Sequence, residues 1–160
     1  MIFRSSRLLP LVLALVLPGG ASFAQSSEGE TATTAETQQV EAANDATLRA
    51  FGAFQCGYYL TAMELAVPRA QLGDPAAQTL VAELFASGLG VARDMDSAAF
   101  WYKPAAEGGD ASAQFKYGLM LLEGRYVEAD EDKAGELMKK AADAGNAFAQ
   151  FNHAQFLVSQ

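Results

Sequence analysis

The chain has 160 residues and a mass of 16.9 kDa, with 51% hydrophobic residues and a formal net charge of −8 from 11 basic and 19 acidic side chains. That length accommodates one domain with a substantial core and leaves no room for two comfortable ones. The acidic balance argues against a nucleic-acid partner, which would need clustered Lys and Arg, and a lone cysteine, Cys56, excludes an intrachain disulfide.

The chain opens MIFRSSRLLPLVLALVLPGGASFAQ, with basic Arg4 and Arg7, an apolar run from Leu8 to Leu17, a break at Pro18-Gly19-Gly20, and small residues at Ser22 and Ala24. This order predicts a secretory signal peptide over residues 1–24, cleaved after Ala24. The apolar run falls short of the roughly 20 residues that span a bilayer, so no stable membrane insertion is expected after cleavage. The mature chain is expected in a periplasm or outside the cell. Loss of Arg4 and Arg7 leaves nine basic against 19 acidic side chains, a net charge of −10. Residues 25–44 are rich in Ser, Thr, Glu, Gln and Ala and read as a disordered acidic and polar tether, with a short frayed helix over 38–47 as the alternative.

From residue 45 onward the apolar spacing predicts helices over 45–56, 59–72, 75–87, 95–108, 111–123, 131–144 and 147–158. The same sequence, shifted by 36 residues, superposes GDPAAQ from Gly73, GDASAQ from Gly109 and GNAFAQ from Gly145. Gly88 falls on Gly124, Val91 on Val127, Asp94 on Asp130, and Ala62, Ala98 and Ala134 form one column. A fixed period of this size marks stacked repeats. The units are a degenerate repeat over 45–72, repeats over 73–108 and 109–144, and a half repeat over 145–160. Each motif reads as punctuation: glycine ends one helix in the left-handed region, and Asp74, Asp110 or Asn146 caps the next. Pro68 and Pro104, deep inside two of these helices, are expected as tolerated kinks. Val81, Leu84 and Phe85 align with Tyr117, Met120 and Leu121 and then with His153, Phe156 and Leu157 as core positions. Ala82, Gly118 and Ala154 let paired helices approach, and Trp101 is expected to be buried between them.

The run AQTLVAELFASGLGVARDMDSAAFWYKPAAEGG from Ala77 to Gly109, and its second copy from Ala113 to Gly145, resemble the Sel-one-like repeat family, helical repeats related to the tetratricopeptide type. The second copy has Leu137 for the family's tryptophan and Tyr126 for its second glycine. The resemblance implies an all-α solenoid of stacked antiparallel helix pairs and a scaffold or adaptor role, with exported bacterial members linked to envelope regulation or host interaction. Cysteine-rich relatives are described as penicillin-binding, and this chain lacks their cysteines. By analogy with tetratricopeptide arrays, the first helices line a concave face. Its partner-binding columns are Thr79, Phe115, Phe151 and Glu83, Leu119, Gln155, flanked by Lys116 and Asn152. For Phe115 and Phe151 the alternative is packing against the neighbouring hairpin.

No catalytic, cofactor-binding or metal residues are expected. His153 falls in a core column, and Cys56 reads as a small buried hydrophobe with an intermolecular disulfide as the alternative. No serine has a lysine three residues later, so the acyl-transfer signature of penicillin-binding enzymes is missing. Gly88-Leu89-Gly90 follows a helix and reads as a loop, not a phosphate cradle; the acids from Asp94 to Asp132 read as helix caps and solvated charge, not a calcium loop. The leading expectation is an exported scaffold that binds a peptide or protein segment and catalyses nothing. The alternatives are a cell-wall-related hydrolase or penicillin-binding activity, and a structural spacer or fragment of a longer array, the last suggested by Gln160 aligning with Gly124.

Overall fold

The computed structural model describes residues 41–158 except residue 43, with side chains as far as residue 152. The expected signal peptide, most of the tether, and the packing of His153, Ala154, Phe156 and Leu157 lie outside the described residues. Helical backbone is present at 41–42 and runs through 44–55 as α1. It is followed by α2 (Tyr59–Gln71), α3 (Pro75–Ser87), α4 (Met95–Glu107), α5 (Ala111–Glu123), α6 (Glu131–Asp143) and α7 (Ala147–Val158). No strand occurs among the described residues. Consecutive helices from α2 to α7 pack against one another in order, giving the all-helical stack of hairpins that the period requires.

The junctions between hairpins follow the expected chemistry. Gly73, Gly109 and Gly145 have φ of 90°, 94° and 89°, a region that costs a side chain but not glycine. The following residue then caps the next helix: Asp74 accepts from the N–H groups of Ala76 and Ala77, Asp110 from Ala113, and Asn146 from Ala149. The last residue of the motif has a role that the sequence reading left open. Gln78, Gln114 and Gln150 each donate their side-chain amide to a carbonyl in the last turn of the helix before, those of Ala70, Ala106 and Ala142, at 3.0, 3.3 and 3.1 Å. A carbonyl without a helical partner is thereby satisfied across the turn. Within hairpins, Asp94 and Asp130 cap α4 and α6, and Gly88 and Gly124 end α3 and α5 at φ of 69° and 61°.

The core runs through three linked clusters. Ala50, Ala62, Ala66, Leu80, Val81 and Leu84 join α1, α2 and α3. Ala98, Tyr102, Tyr117, Leu121, Ala134 and Leu137 join α4, α5 and α6, with Ala82 from α3. Phe115, Ala141 and Ala149 join α5, α6 and α7. Phe85 and Trp101 pack against both of the first two clusters. Ala62, Ala98 and Ala134 are fully buried, as are Ala77, Ala113 and Ala149, which lets the helices approach closely. A β-carbon built at Gly118 would lie 3.3 Å from Met138 Cγ and 3.4 Å from the Ala134 carbonyl oxygen.

Two expectations need revision. Cys56 is exposed, because α1 ends one residue before it and the chain turns through Gly57 at φ 80°. Trp101 is half-buried: it packs against both of the first two clusters and meets exposed Phe100 in a T-shaped pair with ring centres 5.3 Å apart. The prolines are accommodated without interrupting α2 or α4. The residues four positions before them, Glu64 and Phe100, are exposed, where water can satisfy the carbonyls that lose a donor.

Candidate functional site

The eight positions expected from the sequence to face a partner lie on the first helices of successive hairpins. On α3, Thr79 and Glu83 are one turn apart and share a face. Thr79 is half-buried and donates its hydroxyl back to the Pro75 carbonyl at 2.9 Å, which leaves its methyl group to shape the surface. The Glu83 side chain is 33% exposed. Its Oε2 accepts the Tyr102 hydroxyl at 2.5 Å and lies 4.0 Å from Lys116 Nζ on α5, and its Oε1 receives a long contact of 3.5 Å from the Ser87 hydroxyl.

Tyr102 is the residue that sequence reasoning missed. It sits on α4, is 1% exposed, and reaches Glu83 through the core. Burial first, and then the Glu83 carboxylate beside it, hold its pKa well above the ordinary phenol value. The signal was present in the register. One period later, Glu83 and Tyr102 become Leu119 and Met138, so two polar departures from an apolar pair fall in the same repeat.

Lys116 is exposed, and its ion pair with Glu83 is too long and too wet to contribute much stability. Leu119, one turn on, is half-buried against the Phe115 cluster. Thr79, Glu83, Lys116 and Leu119 therefore form one partly open strip across α3 and α5, with a carboxylate acceptor, an ammonium donor and an apolar step.

The other positions do not join that strip. Phe115 is only 9% exposed, packed on Ala141, Ala142 and Ala149 and stacked on Phe148 with ring centres 6.3 Å apart. It takes the alternative role of packing against the neighbouring hairpin. Phe151, at the equivalent position one period later, is 64% exposed. Asn152 is half-buried and donates its amide to the Phe148 carbonyl at 2.8 Å. The Gln155 side chain lies outside the described residues. Among the described residues, no three His, Cys, Asp or Glu side chains converge in a metal-binding arrangement.

The Sel1 repeat family matches residues 75–110 and 111–146, each match opening at the first residue of a hairpin and closing on the cap of the next. No curated protein matches the chain. Among solved structures, a Sel1 repeat protein from Oxalobacter formigenes is similar, with 31% identity and a TM-score of 0.64 over 71% of this chain and 46% of that one. Also similar is c5321, a protective antigen of uropathogenic Escherichia coli strains with an SLR fold, at 26% identity and a TM-score of 0.57 over 66% of this chain and 25% of that one. The chain thus spans less than half the length of either. Two matched repeats, stacked as helical hairpins with the same seam bonds at each junction, place the chain in the Sel1 repeat family, whose members are helical-repeat scaffolds that typically mediate protein interactions.

Proposed function

We propose that the chain is an exported, non-catalytic adaptor that holds a peptide or protein segment along the first helices of its hairpins, the concave face of the solenoid. The observation that carries this reading is the strip Thr79, Glu83, Lys116 and Leu119. It sets a paired carboxylate and ammonium between Thr79 and Leu119, and it places a buried tyrosine beneath its carboxylate where the next repeat manages with an apolar pair. An extended peptide offers both N–H donors for Glu83 and carbonyl acceptors for Lys116, with a side chain to set against Leu119. Residues 1–24 direct export to a periplasm or beyond the cell, and the likeness to a protective antigen supports a role at the envelope or toward a host.

A photo-crosslinking residue placed at Leu119 tests the surface, with another at exposed Phe100 on α4 as the control. In producing cells, the Leu119 probe should yield a discrete crosslinked product that Lys116→Glu abolishes and the Phe100 probe does not form. Equal products from both positions, or none from Leu119, would remove this face as the binding surface. Fractionation and N-terminal sequencing of the same material should give Gln25 as the first residue, outside the cytoplasm; an intact N-terminus in the cytoplasm would refute export.

A further inference from the structure

Phe115 and Phe151 occupy the same place in successive repeats and have opposite fates. Phe115 is buried because α7 lies over it, supplying Ala149 and the ring of Phe148, while the end of α6 supplies Ala141 and Ala142. Phe151 is 64% exposed and Phe148 is 73% exposed even with one face stacked on Phe115. They lie one turn apart on α7, so the hairpin-to-hairpin interface that α5 completes is continued on α7 and has no cover among the described residues.

We propose that a second copy of this chain covers it: two α7 helices pack antiparallel about a twofold axis, burying Phe148 and Phe151 of both copies. Three observations favour this occupant. The surface is a continuation of an interface that the protein already builds, in which an aromatic ring of one helix is buried by its neighbour. Antiparallel packing is also the arrangement of successive helices within this fold, and a twofold contact presents the same patch from both sides. Finally, charge selects the place. A chain of net charge −8, or −10 without residues 1–24, repels its own copy, yet α7 carries no Asp, Glu, Lys or Arg, whereas each of α2 to α6 carries at least one. Two copies meet with least repulsion on α7.

A helix of 12 residues is about 18 Å long, so the contact belongs to the small, weak class of interface and should form in roughly the micromolar range. Sedimentation equilibrium of the purified chain should show its mass rising from monomer to dimer with concentration. Phe151→Asp should weaken the dimer by roughly tenfold or more, because the substitution enters the contact twice. Leu72→Asp, at an equally exposed apolar position on the turn after α2, should leave it unchanged. Amide exchange over residues 147–158 should slow as concentration rises, while exchange over α2 does not, which locates the contact without any substitution. A monomer throughout the range overturns the proposal. So does a dimer that Leu72→Asp breaks and Phe151→Asp does not, or one that shows no added protection on α7. The Leu119 crosslink is read independently, so failure of the dimer leaves the adaptor reading standing and the reverse also holds.

Discussion

The hydroxyl of Tyr102, 1% exposed, donates to Glu83 Oε2 at 2.5 Å across the first full hairpin, while Leu119 and Met138 fill the same two positions in the next. The two ends of this bond are unequal. Tyr102→Phe releases a carboxylate that is one-third exposed and can regain water, so it should cost about 0.5–1.5 kcal/mol. Glu83→Leu leaves a buried hydroxyl without its acceptor and should cost more, about 1–3 kcal/mol. The double change Glu83→Leu with Tyr102→Met imports the neighbour's pair and should recover most of the loss. Urea unfolding of the three variants measures the order; a Tyr102→Phe cost above that of Glu83→Leu would contradict it.

The same tyrosine sets a pH dependence at the alkaline end. Its folded pKa is raised above the ordinary 10.0, so the folded protein holds the proton where the unfolded chain releases it. Its contribution is complete below pH 10.0 and declines as pH rises beyond that value. Tyr117, also raised by burial, acts in the same direction. Unfolding midpoints measured at increasing pH should fall less steeply for Tyr102→Phe than for the parent. Identical slopes would show that the phenol ionises as freely in the fold as outside it.

Gly90 and Tyr126 are equivalent in the repeat, and both sit in the left-handed region, at φ of 75° and 68°. Tyr126→Gly should stabilise by about 0.5–1 kcal/mol, since relief of strain exceeds the added freedom of the unfolded chain. Gly90→Ala should destabilise by more than about 1 kcal/mol, because strain is joined by a β-carbon only 2.9 Å from Tyr59 Cβ and close to α2 backbone. Thermal unfolding of the two variants should shift in opposite directions.

Gly118 faces α6 at contact distance, and Met138 is the neighbour with freedom to move. Gly118→Ala should therefore be nearly neutral, its helix propensity offsetting a small displacement. Gly118→Leu should cost about 1–3 kcal/mol by forcing α5 and α6 apart. An unchanged urea midpoint for the leucine variant would mean that the two helices do not meet at this point.

The helices were legible because their ends are written in residues with one dominant use. Glycine at positive φ and a capping acid bracket α3 and α5, so their expected and observed bounds coincide at Pro75–Ser87 and Ala111–Glu123. What failed depended on neighbours one or two helices away. Its place near a helix end points Cys56 to the core, and a turn closing one residue sooner puts it in water. Phe115 and Phe151 are indistinguishable by register, since what buries one and exposes the other lies a full period further along. Glu83 was legible as a surface position. Its bond to Tyr102 was not, because residues 19 apart meet only once α3 and α4 have folded back on each other.

The glutamine at each seam makes the repeats exchangeable. Gln78 bonds Ala70 as Gln114 bonds Ala106, and Asp74 caps α3 as Asp110 caps α5. Joining Asp74 directly to Ala111 excises one full period; the old cap then starts α5, and Gln114 finds Ala70 where it had found Ala106. A cassette can be removed or duplicated with every bond at the new junction already specified, so the array can change its reach without evolving a new kind of joint.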